Sequence, residues 1–266
     1  MFNIMQTREI GDELIKLNPV TLDAIYDIRL MNRIEIKYIF ATRKVTDLVI
    51  LLGKHYKVLE ISDKRMLPYS TTYLDTADYL FYYQHVRGEF DRHKIRYRRY
   101  LATDESFLEI KKKTNKGRTL KWRIKNEPLS GSIDSRASDF IQEYLPDGST
   151  SVKPVLESRF TRITLAGFEQ KERITIDLNV SFSDPETGKV ISLPYLAIAE
   201  LKKEAYSDGS QFKSLIKQLN IYPAGFSKYC VGSALLNNTI KKNMIKPKLL
   251  LLNKLENECN GSDITG

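Results

Sequence analysis

The amino-acid sequence predicts an α+β fold, a closed antiparallel β-barrel with helices packed on its outside. Three observations carry this. Segment after segment alternates charged and apolar residues with period two, as at Arg33-Ile34-Glu35-Ile36-Lys37-Tyr38. These segments follow one another through turn sequences, the order of hairpins. Amphipathic helical stretches are interspersed, and each needs an apolar sheet face to cover. A large antiparallel sheet tends to close, because closure removes exposed edges.

In chain order, residues 7–16 and 21–29 read as helices separated by Pro19, so residues 1–30 form an N-terminal helical segment. Residues 33–38 are the first alternating strand and 44–54 a helix. Residues 70–74, β-branched and aromatic, read as a strand. Asp75 is placed to cap a helix over 76–86, which Gly88 ends. Strands follow at 94–98, 108–111 and 120–125, the last two joined by a turn containing Asn115-Lys116-Gly117. Residues 135–144 read as a helix, 146–151 as a polar break, and 156–165 and 173–180 as strands. After a turn at 184–189 comes the alternating strand 198–202, then helices at 210–219 and 227–238. Residues 31–240 thus read as one domain, and 241–266 as a loose tail, basic and then polar.

Composition narrows the partner without choosing it. With 266 residues and 42% hydrophobic content the chain can bury a real core. A net charge of +9 points to an anion: nucleic acid, an acidic membrane surface or a phosphorylated small molecule. Two cysteines, Cys230 and Cys259, are too few for a disulfide scaffold and fit a reducing compartment. No stretch reads as an export signal, and no aliphatic run, residues 249–252 among them, approaches the about 20 residues of a spanning helix. The expected location is the cytoplasm, with the inner face of a membrane reached only through a partner.

Side chains at i and i+2 of a strand share a face. One face collects Arg33, Glu35, Lys37, Arg96, Arg98, Glu109, Lys111, Lys121, Arg123, Glu157, Arg159, Arg173, Asp177, Glu200 and Lys202. The other collects Ile34, Ile36, Ile95, Tyr97, Leu108, Ile110, Leu120, Trp122, Ile174, Ile176 and Leu201. An ordinary sheet with one wet face is the plain reading. Against it, the polar face has little of the Thr and Ser usual on a solvated strand, and the helices need the apolar face. If they cover the outside, the charged face becomes a lumen whose crowded cations need anions. Phosphate suits Arg in particular, and the carboxylates suit a divalent ion with oxygen ligands.

The segments RIEIKYIF (33–40), TTYLDTADYLFYYQHVRG (71–88), KIRYRRY (94–100), FLEIKKKTNKGRTLKWRI (107–124), KPVLESRFTR (153–162), RITIDLNVSF (173–182), AELKKE (199–204) and FSKYCVG (226–232) carry a specific resemblance. In order and together, they resemble the catalytic domain of the vacuolar transporter chaperone (VTC) polyphosphate polymerases, a branch of the triphosphate tunnel metalloenzymes. The resemblance implies that Lys37, Arg96, Arg98, Lys111, Lys121, Arg159 and Lys228 lie on the phosphate chain, and that Glu200 holds an Mn2+ or Mg2+ ion. Arg123, Arg173 and Lys202 join them on the same face. Ser227 caps a helix start where phosphate is favoured. Glu35 and Glu109 either assist the metal or pair with neighbouring cations. His55, His85 and His93 have no ligand spacing, and His93 is expected in solvent. Trp122 and the tyrosines at 82, 83 and 97 read as core, Asp75 and Asp78 as cap and surface.

The implied activity is a metal-dependent ATP–polyphosphate phosphotransferase whose partners are ATP and polyphosphate or another triphosphate. The alternatives are a triphosphatase or tripolyphosphatase on the same barrel, and a non-catalytic polyphosphate or nucleotide sensor. Nucleic acid is not expected, since its binders spread cations among stacking aromatics over an open surface. Family members that export the chain carry a regulatory domain and membrane helices; neither is in this sequence, which leaves room for a bare polymerase, for a separate membrane subunit, or for another triphosphate as substrate.

Overall fold

The computed structural model describes residues 2–26, 33–129, 131–145, 151–169, 171–205 and 209–261. Helices α1 (Phe2–Ile15) and α2 (Leu22–Tyr26) flank the short strand β1 (Pro19–Val20); the rest of the predicted helix 21–29 lies outside the described residues. Then come β2 (Arg33–Ala41), α3 (Val45–Gly53), β3 (Lys57–Leu59), β4 (Leu67–Thr76), α4 (Leu80–Arg87), β5 (Arg92–Tyr100), β6 (Glu105–Lys113), β7 (Thr119–Lys125) and α5 (Ser135–Tyr144). The chain continues through β8 (Val152–Gly167), β9 (Glu172–Ser183), β10 (Val190–Leu193), β11 (Leu196–Glu204), α6 (Gln211–Gln218), α7 (Lys228–Leu236) and α8 (Lys246–Cys259).

The main sheet runs β2-β11-β9-β8-β4-β5-β6-β7, with every neighbouring pair antiparallel. It curls but does not close, which corrects the barrel expectation: β2 and β7 end the ladder and no register joins them. The reason lies at both edges. Part of the free edge of β2 is taken by the loop before α7, where the Ala224 N–H donates to the Lys37 carbonyl and Pro223 pairs with Tyr38. A proline there offers no donor. On the other side, Thr119, Leu120, Lys121, Arg123 and Lys125 of β7 stand exposed. The result is a half-barrel with its concave side open along one seam.

Helices cover the convex face, as their apolar stripes require. Leu14 of α1, Leu48 and Leu52 of α3 and Phe212 of α6 pack on Ile174, Ile176, Ala199 and Leu201. Ala137 and Ile141 of α5 cover Ile95, Leu108 and Ile110. Helix α7 instead enters the curl at one end and rests on Leu156 and Phe182; a Cβ on Gly232 would stand 2.6 Å from the Phe182 ring and 2.8 Å from Leu156.

Two local expectations change. Helix α4 starts at Leu80, because Tyr79 takes a left-handed conformation with φ 60°. Asp75 still caps it from a distance: its fully buried carboxylate accepts from the Thr76, Phe81 and Tyr82 backbone N–H groups and from the Tyr229 hydroxyl. The segment read as a loose tail carries α8, whose Leu252 and Leu255 are buried against the body. Their i, i+3 spacing is helical.

Candidate active site

The concave face of the half-barrel encloses a cavity of about 550 Å3. Each strand contributes inward residues at period two: Arg33, Glu35 and Lys37 from β2; Lys94, Arg96 and Arg98 from β5; Lys111 from β6; Lys121 and Arg123 from β7. Arg173, Thr175 and Asp177 come from β9, and Glu200 and Lys202 from β11. Ser227 and Lys228 add the N-terminus of α7. Twelve Lys and Arg side chains thus line the cavity against three carboxylates among the described residues.

Two predicted site residues fall outside the lining. Arg159 points outward, its side chain 69% exposed and paired with Glu157 at 3.0 Å. The inward phase of β8 is even-numbered, so Arg162 and Thr164 face the cavity instead. Glu109 is inward but lies beneath the wall, 1% exposed. Its carboxylate accepts from Arg96 at 2.6 Å and from Lys121, the ion-pair option of its two readings. Burial works to protonate Glu109, yet Arg96, Arg98 and Lys121 hold it well below the usual carboxylate range.

Arg162 and Lys94 are not among the residues the sequence points to, and Asp177 is read there only as part of the charged face. Arg162 grips Asp177 in a two-pronged bond, Nε to Oδ1 at 2.6 Å and Nη2 to Oδ2 at 2.8 Å, and Lys228 contacts the same carboxylate. Burial opposes the charge on Asp177, but these two cations keep it far below the ordinary range. The available signal was the second arginine of KPVLESRFTR and the aspartate of RITIDLNVSF.

The cations divide into two kinds. Arg96 and Arg162 are fixed by carboxylates, whereas Lys94, Arg98 and Lys111 have none within 4.0 Å among the described residues. Lys94 donates to Ser227 Oγ at 3.3 Å, and Ser227 Oγ accepts from the Cys230 N–H, capping α7 as expected. Burial, with Arg96 close by, pulls the Lys111 ammonium down to about 7. Burial, with Lys37 and Arg96 nearby, pulls Lys94 down to about 8. Arg98 Nε is buried without a partner among the described residues.

The three predicted metal ligands do not gather. Glu200 and Glu35 share Lys202, at 3.0 Å and 3.8 Å, and Lys37 stands 3.6 Å from Glu200, while Glu109 is spoken for. Among the described residues no group of three or more His, Cys, Asp or Glu could hold a metal alone. The donor set fits a divalent ion that takes one or two carboxylates and completes its shell with substrate oxygens and water. His93 is buried against Phe81, not in solvent, with neither ring nitrogen bonded; it falls on the apolar side of β5 with Ile95.

Residues 32–237 match the model of the VTC domain. The chain belongs to this family. No curated protein matches the VTC chain. Among solved structures it is similar to a Vibrio parahaemolyticus protein assigned as an adenylate cyclase, with 13% identity, TM-score 0.46, and 76% of this chain and 99% of that one covered. A Hippeastrum protein, assigned as an adenylyl cyclase and reported to have a dominant triphosphatase activity, gives 16%, 0.46, 77% and 96%. A Pyrococcus horikoshii protein gives 12%, 0.42, 77% and 99%. No helix among the described residues is long and apolar enough to cross a membrane.

Proposed function

We propose that this VTC domain is a metal-dependent polyphosphate polymerase, which binds ATP with its phosphates in the cationic cavity and passes the terminal phosphoryl group to a growing polyphosphate chain. The observation that carries the reading is the trio Lys94, Arg98 and Lys111: enclosed cations without carboxylate partners among the described residues. Such a cluster is self-repelling until an anion enters, and phosphate oxygens complement it. Arg96 and Arg162, pre-oriented by Glu109 and Asp177, would hold the chain in line. The α7 N-terminus beside Lys228 favours the same charge.

An acceptor phosphate is already a nucleophile, so the protein need supply positioning and charge rather than a strong base. Glu200, with Glu35 beside it, would hold an Mn2+ or Mg2+ ion, whose positive charge would offset that of the phosphates. ATP and polyphosphate are the partners of this reading and the cytoplasm its place.

The experiment follows the γ-phosphate. Purified protein is incubated with ATP and Mn2+, and products are resolved by gel, with an Arg96→Ala, Arg98→Ala double variant alongside. The reading expects a polyphosphate ladder that the double variant abolishes. Free phosphate alone would make the cavity a triphosphatase site; bound ATP without turnover would make it a sensor.

A further inference from the structure

Beside the cationic cavity lies an apolar cleft of about 180 Å3, and the two share Leu22, Leu59, Tyr69, Tyr100 and Arg123. Its lining combines aliphatic side chains, Leu59 and Leu67 among them, with the aromatic rings of Tyr100 and Phe107, whose centroids stand 5.9 Å apart. Arg123 lies over the Phe107 ring at 4.8 Å, at the junction of cleft and cavity. Arg123 is the one cation of the lining, which is otherwise mostly apolar, and the Glu105 carboxylate there opposes a phosphate. An apolar cavity of about 150 Å3 accepts a benzene ring, so a flat heterocycle fits the scale of this one.

We propose that this cleft receives the aromatic base of the nucleoside triphosphate. The inference rests on the polymerase reading and gives it a direction. With the base between Leu59 and Tyr100, Arg123 stands where base gives way to phosphate. The phosphates then run past Arg98 and Arg96 toward Ser227 and Lys228, which brings the terminal phosphoryl group to the N-terminus of α7. Thr103 and Glu105, 3.5 Å apart in the lining, would meet polar atoms on the edge of the base. Inorganic tripolyphosphate, which lacks a base, uses the cavity alone.

The test fills the cleft without touching the cavity. Ala102 lines the cleft only. Calorimetry is run on the wild type and on Ala102→Trp with two ligands, inorganic tripolyphosphate and an ATP analogue with a non-hydrolysable β–γ imido bridge. Ala102→Leu, a smaller filling, runs in parallel in case the indole is not accommodated. The expected result is a loss of about tenfold or more in affinity for the analogue, the scale of one lost base–aromatic stack, with tripolyphosphate binding unchanged. Unchanged binding of both ligands, or equal loss of both, overturns the proposal while leaving the cavity reading intact. A wild type that binds neither ligand overturns the two together.

Discussion

Lys202 places its ammonium 3.0 Å from the Glu200 carboxylate, two residues away on the same inward face of β11. Burial alone would raise Glu200, but Lys202, Lys37 and Arg162 keep it charged well below the usual range. It is therefore an ionised carboxylate, the state in which it would bind the proposed divalent ion. Glu200→Gln is expected to lower metal-dependent turnover about 100-fold, the scale of losing one transition-state electrostatic group. Without metal, the same change should strengthen tripolyphosphate binding, since one negative charge leaves a cationic cavity. Steady-state kinetics and metal-free calorimetry read the two effects.

Arg162 and Arg159 lie three residues apart on β8 and should behave oppositely. Arg162→Ala leaves Asp177 buried with Lys228 alone, and breaking such a pair costs about 3 kcal/mol or more. Arg159→Ala removes an exposed pair with Glu157 and should stay within about 0.5 kcal/mol. Urea denaturation separates them.

The lysines give the cavity a pH dependence. Lys111 and Lys94 sit at about 7 and about 8 in the fold, below the ordinary 10.5 they keep when unfolded. The unfolded chain binds more protons in that window, so their contribution makes the ligand-free protein more stable as pH rises from about 7 toward 10.5. Bound tripolyphosphate favours the charged lysines. The rise in Tm that it produces should therefore be greatest below about pH 7 and shrink above about pH 8. Thermal melts with and without tripolyphosphate across this range check both trends.

Gly232 lets α7 settle into the curl of the sheet. Gly232→Ala places a methyl group against the Phe182 ring and Leu156. Overpacking of this kind costs about 1–3 kcal/mol, and it should also weaken anion binding, because α7 carries Ser227 and Lys228. Denaturation and calorimetry report the two losses together.

The sequence made the cavity legible where side-chain identity and strand period agree. On β2, β5, β6, β7, β9 and β11, charged residues at every second position identified the inward face, and the structure gathers them there. On β8 the same rule misled, because Glu157 and Arg159 are charged yet face outward, while the inward phase runs through the apolar Leu156 and Phe160 to Arg162. Alternation fixes two faces but not which of them is inside; burial decides that. Closure was illegible because it depends on what occupies the β2 edge, and Pro223 and Ala224 reach it from nearly 190 residues away. The α8 helix went unread because four consecutive leucines at 249–252 mark no single face, and the packing of Leu252 and Leu255 on the body selects one.

Binding of inorganic tripolyphosphate to the Arg98→Ala, Lys111→Ala double variant tests the central claim most directly. These cations have no carboxylate within 4.0 Å among the described residues, so their removal strands no buried partner. Two lost charge-assisted contacts are worth about 3 kcal/mol or more, so isothermal calorimetry should show an affinity about 100-fold or more below that of the wild type. A double variant that is folded and binds tripolyphosphate as tightly as the wild type would contradict the account.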